Sequence, residues 1–179
     1  MVTIPTDPKE IIKASLEFEE EGYKLFIDSI AKATDPLTKS TFQFLADQEI
    51  KHMETIKTFA SSLEGTDSFD LDTLPETINV PKAKQEIRNI FAQIGAEFDG
   101  VVGDEDERME VYKVAMKLES RGHDFYGTAS DQATDDNARR IYRFLSDEEA
   151  QHYMIIQDTF MYLMQPDAFM AIDEHWMIS

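Results

Sequence analysis

The stretch "TFQFLADQEIKHMETIKTF", residues 41–59, has a row of apolar side chains with helical period and two polar residues within that row. Intervals of alternately three and four residues mark one face of an α-helix. The face consists of Phe42, Leu45, Glu49, His52, Ile56, Phe59 and Leu63. Glu49 and His52 are three residues apart and therefore point in the same direction. Because this row is otherwise apolar and suited to burial, these two polar residues are expected to have an interaction partner inside the protein.

A second version of this stretch follows 100 residues later as "IYRFLSDEEAQHYMIIQDT", residues 141–159. Residues 13–63 align with residues 113–163 without a gap, and 13 of these 51 positions are identical. Average composition gives about three identities over such a length. The chain therefore contains a duplicated helical hairpin, and the second Glu-x-x-His is a copy of the first.

Each hairpin is predicted to consist of two amphipathic helices of about 27 residues, each about 40 Å long. An aspartate before each helix can accept a hydrogen bond from a free backbone N–H of the first turn. The predicted N-caps are Asp7, Asp35, Asp104 and Asp135, and the predicted stops of the second and fourth helices are Gly65 and Pro166. The first helix has its own mixed stripe: Ile12, Leu16, Glu19, Tyr23, Phe26, Ile30 and Ala33.

These signals predict an all-α protein of one domain, residues 1–179, built as a four-helix bundle with one long crossover. Its segments are a hairpin at 8–64, the crossover at 65–103, a hairpin at 104–164 and a C-terminal tail at 165–179. Within the crossover, "KAKQEIRNIFAQIGAEF" has the spacing of a short extra helix. That helix and the tail around Trp176 offer apolar surface, which predicts a homodimer.

Composition excludes several classes of function. The formal net charge of -19 and the pI near 4.4 would repel nucleic acids and anionic membranes. The chain has no cysteine, which rules out disulfides, thiolate metal sites and a thiol nucleophile within it, and is compatible with a cytoplasmic location. No signal peptide and no membrane-spanning segment are expected, because no long apolar run occurs.

The strongest functional signal is the number of acids expected in the bundle interior. Four helices would bring together four carboxylates and two imidazoles: Glu19, Glu49, His52, Glu119, Glu149 and His152. Four ionised carboxylates in a low-dielectric interior would repel one another and lose hydration, at several kcal/mol each. Two divalent cations cancel four negative charges, so the sequence predicts a dinuclear metal site.

The sequence resembles the rubrerythrin family, including its short members, from about residue 8 to about residue 164. The resemblance is carried by "LEFEEEGYKLF" and "LADQEIKH" in the first half and by "LESRGHDFYGTAS" and "LSDEEAQH" in the second. It implies a ferritin-like fold, and all six positions of the shared di-iron ligands are filled by the residues above. Mixed oxygen and imidazole ligation suits iron, and manganese or zinc can occupy the same site.

The sequence departs from the family pattern in two respects. Rubrerythrins proper carry a cysteine-ligated rubredoxin domain, which these cysteine-free residues do not include, so electrons are expected from a separate protein. The family also has a further glutamate three residues after the ligand of the third helix, and Gly122 occupies that position.

The first functional hypothesis is a di-iron oxidoreductase that reduces hydrogen peroxide or dioxygen, a peroxidase-type activity in oxidative stress. Glu49 and Glu149 would bridge or chelate the metals, the other two glutamates would cap them, and the histidines would take the outer positions. Tyr126 either hydrogen-bonds a ligand carboxylate or is an ordinary core tyrosine.

Two other hypotheses remain open: an iron-handling protein that binds and oxidises Fe(II) without peroxidase turnover, and a structural protein that has lost the chemistry. His123 either lines the approach to the site or has a structural role. The acidic runs "EFEEE" and "GDEDER" are expected to form solvated faces and a helix cap, and Glu20 and Glu148 are candidate groups for iron entry.

Overall fold

The structure, a computed structural model, describes residues 4–63, residue 65 and residues 105–165. Within this part of the chain it consists of four α-helices without a strand. These are α1 (Pro8–Lys32), α2 (Pro36–Leu63), α3 (Glu105–Gln132) and α4 (Asp136–Met164). The predicted extra helix, the predicted cap Asp104 and the tail around Trp176 lie outside the described residues. The four-helix prediction is confirmed.

The predicted helix boundaries follow from local hydrogen bonds. Asp7, Asp35 and Asp135 each accept a bond from a backbone N–H two or three residues further on, at 2.9, 2.7 and 2.8 Å. Gly65, just past the end of α2, has a φ of 71°, a left-handed conformation that glycine adopts without steric cost. These three caps and this stop were predicted from sequence and are confirmed.

The two hairpins pack against each other with antiparallel helices. α1 packs mainly on α2 and α3 mainly on α4, and the hairpins meet where α1 lies on α3 and α2 on α4. Near one end of the bundle Thr41 Oγ1 lies 3.3 Å from Thr159 Oγ1, and near the other the rings of Phe59 and Tyr142 are 6.3 Å apart. α2 and α4 therefore run antiparallel to each other.

The same antiparallel relation holds for α1 and α3, so α3 runs parallel to α2. The end of α2 and the start of α3 then lie at opposite ends of the bundle. The connection between them must cover about 40 Å, the length of a helix of this size. This is the geometry of one long crossover, and it relates the two repeats by a pseudo-two-fold axis.

Apolar side chains fill the two ends of the bundle and leave its middle to polar groups. One apolar core contains Phe26, Leu37, Phe42, Leu45, Ala46, Tyr112, Ala115, Ile155 and Ile156. The other contains Ile4, Ile11, Ile12, Ile56, Phe59, Phe125, Tyr126, Ala129, Ile141, Tyr142 and Leu145. The residues between Leu45 and Ile56 on α2, and between Leu145 and Ile155 on α4, lie in the layer that separates these cores.

The burial pattern differs from the predicted stripes at two places. Leu63 is 49% exposed, because it is the last residue of α2 and lies beyond the Phe59–Tyr142 contact. On α1 the buried row contains small residues, Ser15, Gly22 and Ser29. The prediction is confirmed for Ile12, Glu19 and Phe26, which are buried. The other four predicted residues, Leu16, Tyr23, Ile30 and Ala33, are only half-buried. None of the described helices has a stretch long and apolar enough to cross a membrane.

Candidate metal centre

Six acidic and imidazole side chains occupy the layer between the two apolar cores. They are the six predicted residues, Glu19, Glu49, His52, Glu119, Glu149 and His152, called the carboxylate–histidine cluster below. Each is at most 2% exposed. One glutamate comes from each of the four helices and one histidine from each of α2 and α4, so the bundle brings together all six residues that the sequence singles out.

Glu49 lies between the two histidines. Its Oε2 is 3.6 Å from His52 Nδ1 and its Oε1 is 3.4 Å from His152 Nδ1. Glu149 Oε1 is 3.4 Å from His52 Nδ1. One ligand atom from each of these four residues can be chosen so that all four atoms lie within 4.8 Å of one another. This spacing suits carboxylates shared between two metal positions.

The two imidazole rings are stacked, with centroids 5.2 Å apart and planes inclined by 14°. Each presents Nδ1 to the carboxylates. Glu19 Oε2 lies 3.0 Å from His52 Nδ1, and Glu119 Oε2 lies 3.4 Å from His152 Nδ1. Each half of the cluster thus pairs one outer glutamate with one histidine, as the internal repeat requires.

Tyr126 makes the two halves different. Its hydroxyl donates to Glu19 Oε1, whereas the equivalent residue in the first repeat, Phe26, has no hydroxyl. Neither oxygen of Glu119 has a hydrogen-bond partner within the described residues. Tyr126 therefore makes the first of its two predicted interactions, a hydrogen bond to a carboxylate of the cluster.

Burial and mutual repulsion keep protons on part of the cluster. Burial, followed by the neighbouring carboxylate Glu49, raises the pKa of Glu19 well above its ordinary value, and burial with Glu149 does the same for the pKa of Glu119. Burial alone would raise the pKa of Glu49, but the neighbouring Glu19 carboxyl and the two histidines lower it. Glu49 therefore ionises more readily than Glu19 and Glu119.

His52 takes part in the same sharing of protons. Burial alone would lower its pKa, but Glu19, Glu148 and Glu149 together raise the pKa well above the ordinary value of histidine. Burial, followed by Glu19, also raises the pKa of Tyr126, which keeps its hydroxyl protonated as a donor. Without cations, the cluster therefore holds protons in places where a metal would bind.

The unpaired atoms of the cluster fit a metal. Buried polar atoms usually have a partner, but several here have no hydrogen bond within the described residues: Glu119 Oε1 and Oε2, Glu149 Oε1, His52 Nε2, and His152 Nδ1 and Nε2. Four of these are carboxylate oxygens or Nδ1 atoms on the inner side of the cluster. Oxygen and imidazole donors suit iron, manganese or zinc. The cluster therefore has the composition and the free donor atoms of a metal-binding site.

Two equivalent glycines lie directly against the inner glutamates. A Cβ at Gly22 would lie 3.3 Å from Glu49 Cδ. A Cβ at Gly122 would lie 2.8 Å from Glu149 Oε2 and 2.7 Å from Phe18 Cε1. The absence of a side chain on α1 and α3 thus makes room for the carboxylates of α2 and α4, a contact that the sequence analysis did not identify.

Glu148, a candidate group for iron entry, is buried beside the cluster. It is 2% exposed, and its Oε2 lies 3.9 Å from His52 Nε2. The spacing Leu145–Glu148–His152 is that of a helix face and could have indicated its burial. Glu20 is exposed, as expected.

His123 is resolved in favour of a structural role. Its Nδ1–H donates to the backbone carbonyl of Ser146 at 2.9 Å, and Ser146 Oγ donates to the His123 carbonyl at 3.0 Å. These bonds link α3 to α4. His123 is therefore a link within the second hairpin.

Comparison with known proteins gives one finding. The family model described as rubrerythrin matches residues 10–160, most of the chain. No curated protein and no solved structure gives a significant match. The matched range contains the whole carboxylate–histidine cluster, and the four helices agree with the ferritin-like bundle that the resemblance implies.

Proposed function

The chain belongs to the rubrerythrin family, and we propose that it is a di-iron oxidoreductase that reduces hydrogen peroxide or dioxygen with electrons from a separate donor protein. The observation that carries the proposal is the layer of four buried carboxylates and two imidazoles with unpaired inner atoms. An interior of this composition without metal would be costly, because each buried charge needs a counter-charge.

The residues of the cluster would hold two irons in equivalent halves. Glu49, which reaches both histidines through its two oxygens, has the geometry of a bridging ligand. Glu149 is its repeat equivalent. Glu19 with His52 would complete one half, and Glu119 with His152 the other. Imidazole Nδ1 would be the atom offered to the metal on both sides, since it faces the carboxylates.

When bound, two irons passing between the ferrous and ferric states supply two electrons to one O–O bond. The chain itself would position the metals, exclude water from the site and hold one proton at a fixed atom. The apolar cores on either side of the cluster exclude water, which strengthens the electrostatic interactions within it. Tyr126 holds its proton against Glu19 Oε1 and so fixes one outer carboxylate in orientation.

Multiple-turnover kinetics test this proposal. Anaerobically Fe(II)-loaded protein with an excess of a reducing donor is expected to consume many equivalents of peroxide per chain. Glu49→Gln, which keeps the size of the side chain but removes its charge, is expected to lose bound iron and turnover together. Glu110→Gln, at an exposed position, is the matched control and is expected to behave as the wild type. Turnover that survives Glu49→Gln would contradict the proposal.

One observation favours a second candidate, an iron-binding protein that oxidises Fe(II) without peroxidase turnover. The further glutamate of the family is replaced by Gly122, and a Cβ there would already lie 2.8 Å from Glu149 Oε2. The cluster therefore lacks a seventh carboxylate at that place. A single round of peroxide consumption, ending after two Fe(II) per chain in spite of excess donor, would favour this candidate over the enzyme.

A further inference from the structure

The two repeats differ in sequence directly beside the carboxylate–histidine cluster. The residue before each inner glutamate is Gln48 on α2 and Glu148 on α4, and the residue before each histidine is Lys51 and Gln151. These four side chains lie outside the six predicted ligands. Because the inner residues are identical in the two repeats, any difference in charge between the halves must come from such neighbours.

On one side, Glu148 faces the outer nitrogen of His52. The carboxylate is buried, and its Oε2 lies 3.9 Å from His52 Nε2. Its other oxygen accepts a hydrogen bond from Gln151 Nε2 at 3.4 Å. Since His52 Nδ1 points to the cluster, its Nε2 is the atom left to carry the ring proton, and Glu148 is the carboxylate within 4 Å of that atom. The 3.9 Å separation exceeds hydrogen-bond length, and a shift of less than 1 Å would close it.

On the other side, the pseudo-two-fold axis places Gln48 where Glu148 is. Gln48 is 8% exposed, and its Oε1 accepts a bond from Lys51 Nζ at 3.4 Å. The two pairs differ in formal charge by two units, since Glu148 with Gln151 gives -1 and Gln48 with Lys51 gives +1. One half of the duplicated site therefore has a buried anionic neighbour, and the other has a buried neutral amide whose oxygen is bonded to an exposed lysine.

We infer that Glu148 is a positioning residue, which holds the His52 ring through Nε2 and makes the metal position at His52 bind its cation more tightly than the position at His152. The inference rests on the proposed di-iron centre. A carboxylate that accepts the outer N–H of a ligating histidine fixes the ring and raises its basicity, and loss of such a partner weakens metal binding about 10- to 100-fold. A glutamine beside a lysine does not have this effect.

Anaerobic calorimetric titration of the metal-free protein with Co(II) tests the inference. The wild type is expected to bind two equivalents with distinct affinities. Glu148→Gln, which gives α4 the residue of α2, is expected to weaken the tighter event about 10- to 100-fold and leave the weaker event unchanged. Gln48→Glu is expected to tighten the weaker event. Glu110→Gln, which removes an equal charge from an exposed position, is the control and should alter neither.

Proton NMR of the Co(II)-loaded protein gives a readout that packing alone would not change. Two exchangeable, paramagnetically shifted imidazole N–H signals are expected, and Glu148→Gln should speed the solvent exchange of one of them only. Two unchanged affinities in Glu148→Gln, or an equal loss at both positions, would overturn the inference and leave the di-iron proposal standing. A wild type that binds no Co(II) would overturn both.

Discussion

Glu19 and Glu119 occupy equivalent places in the two repeats but have different partners. Glu19 receives the hydroxyl of Tyr126, whereas both oxygens of Glu119 lack a hydrogen bond within the described residues. Both carboxyls keep a proton because burial and a neighbouring carboxylate raise their pKa values. Each side chain is therefore neutral in the metal-free protein and has to become charged before it can bind a metal.

Replacement of Glu119 by glutamine should have opposite effects on the metal-free and the metal-loaded protein. Gln imitates the protonated carboxyl, so the free energy of unfolding in chelator at pH 7 should stay unchanged or rise by about 1 kcal/mol. Iron content after loading should fall below two per chain. Urea unfolding and metal analysis, with Glu110→Gln as the exposed control, check both. A large loss of metal-free stability would contradict the protonated state of Glu119.

Replacement of Tyr126 by phenylalanine should weaken metal binding or turnover about 10- to 100-fold, because Glu19 loses the donor that orients it. The fold should tolerate the change, since Phe26 occupies the equivalent place in the other repeat. Tyr142 is the matched control: it is buried and stacked on Tyr126 at 6.4 Å. If Tyr142→Phe had the same effect, the hydroxyl of Tyr126 would have no special part in the site.

At the scale of the helix, the glycines of α1 and α3 decide how closely the inner glutamates approach. Alanine normally stabilises a helix interior by about 1 kcal/mol relative to glycine. At Gly122 this gain should be lost, because the new Cβ would lie 2.8 Å from Glu149 Oε2. The helix therefore gives up intrinsic stability at this position to make room for a carboxylate.

Gly122→Ala should accordingly displace Glu149 and lower both metal affinity and metal-free stability, the latter by about 1–3 kcal/mol. Gly127→Ala is the matched control on the same helix. Its Cβ would lie 3.5 Å from Ser146 Oγ, an ordinary contact, and it should raise stability. Thermal unfolding and metal titration measure both variants. If Gly122→Ala gained stability as Gly127→Ala does and bound metal normally, the close approach of Glu149 to residue 122 would be contradicted.

The helices that occur in both repeats and have a clear apolar period could be predicted from the sequence. The spacing of Glu49 and His52 within an apolar row placed them in the interior, and the aspartate caps placed the helix starts. The sequence could not tell that Ser15 and Ser29 rather than Leu16 and Ile30 face inward on α1, because two adjacent rows of a helix differ by a rotation that only packing decides. The burial of Glu148 was not predicted, because a glutamate beside other acidic residues usually lies in water.

At the scale of the whole molecule, the bundle has two apolar cores with an ionisable layer between them, and its stability should depend on pH and metal together. The raised pKa values of Glu19, Glu119 and His52 mean that the folded metal-free protein binds more protons than the unfolded chain. The stabilisation that these three groups give the folded protein is fully present below their ordinary pKa values, about 4.3 for glutamate and 6.5 for histidine. It is lost as pH rises through the raised values. Glu49, whose pKa is lowered, acts oppositely below about pH 4.3.

Metal-free protein should therefore lose stability as pH rises from about 5 to 8, whereas the stabilisation by bound metal should grow over the same range, since protons no longer compete for the ligands. Denaturant unfolding at several pH values, with chelator and with metal, measures the two trends. Loading at pH 7 in weak buffer should also release protons. Metal-free stability that rises with pH over this range would contradict the protonated cluster.

The proposed function requires metal ions in the layer between the two apolar cores. Anomalous X-ray diffraction at the iron edge, on crystals of protein loaded anaerobically with Fe(II), locates such ions. Two iron peaks per chain are expected in the middle of the bundle, on either side of Glu49 and Glu149 and each within bonding distance of one histidine Nδ1. Peaks confined to the acidic exterior, with none between the four helices, would contradict it.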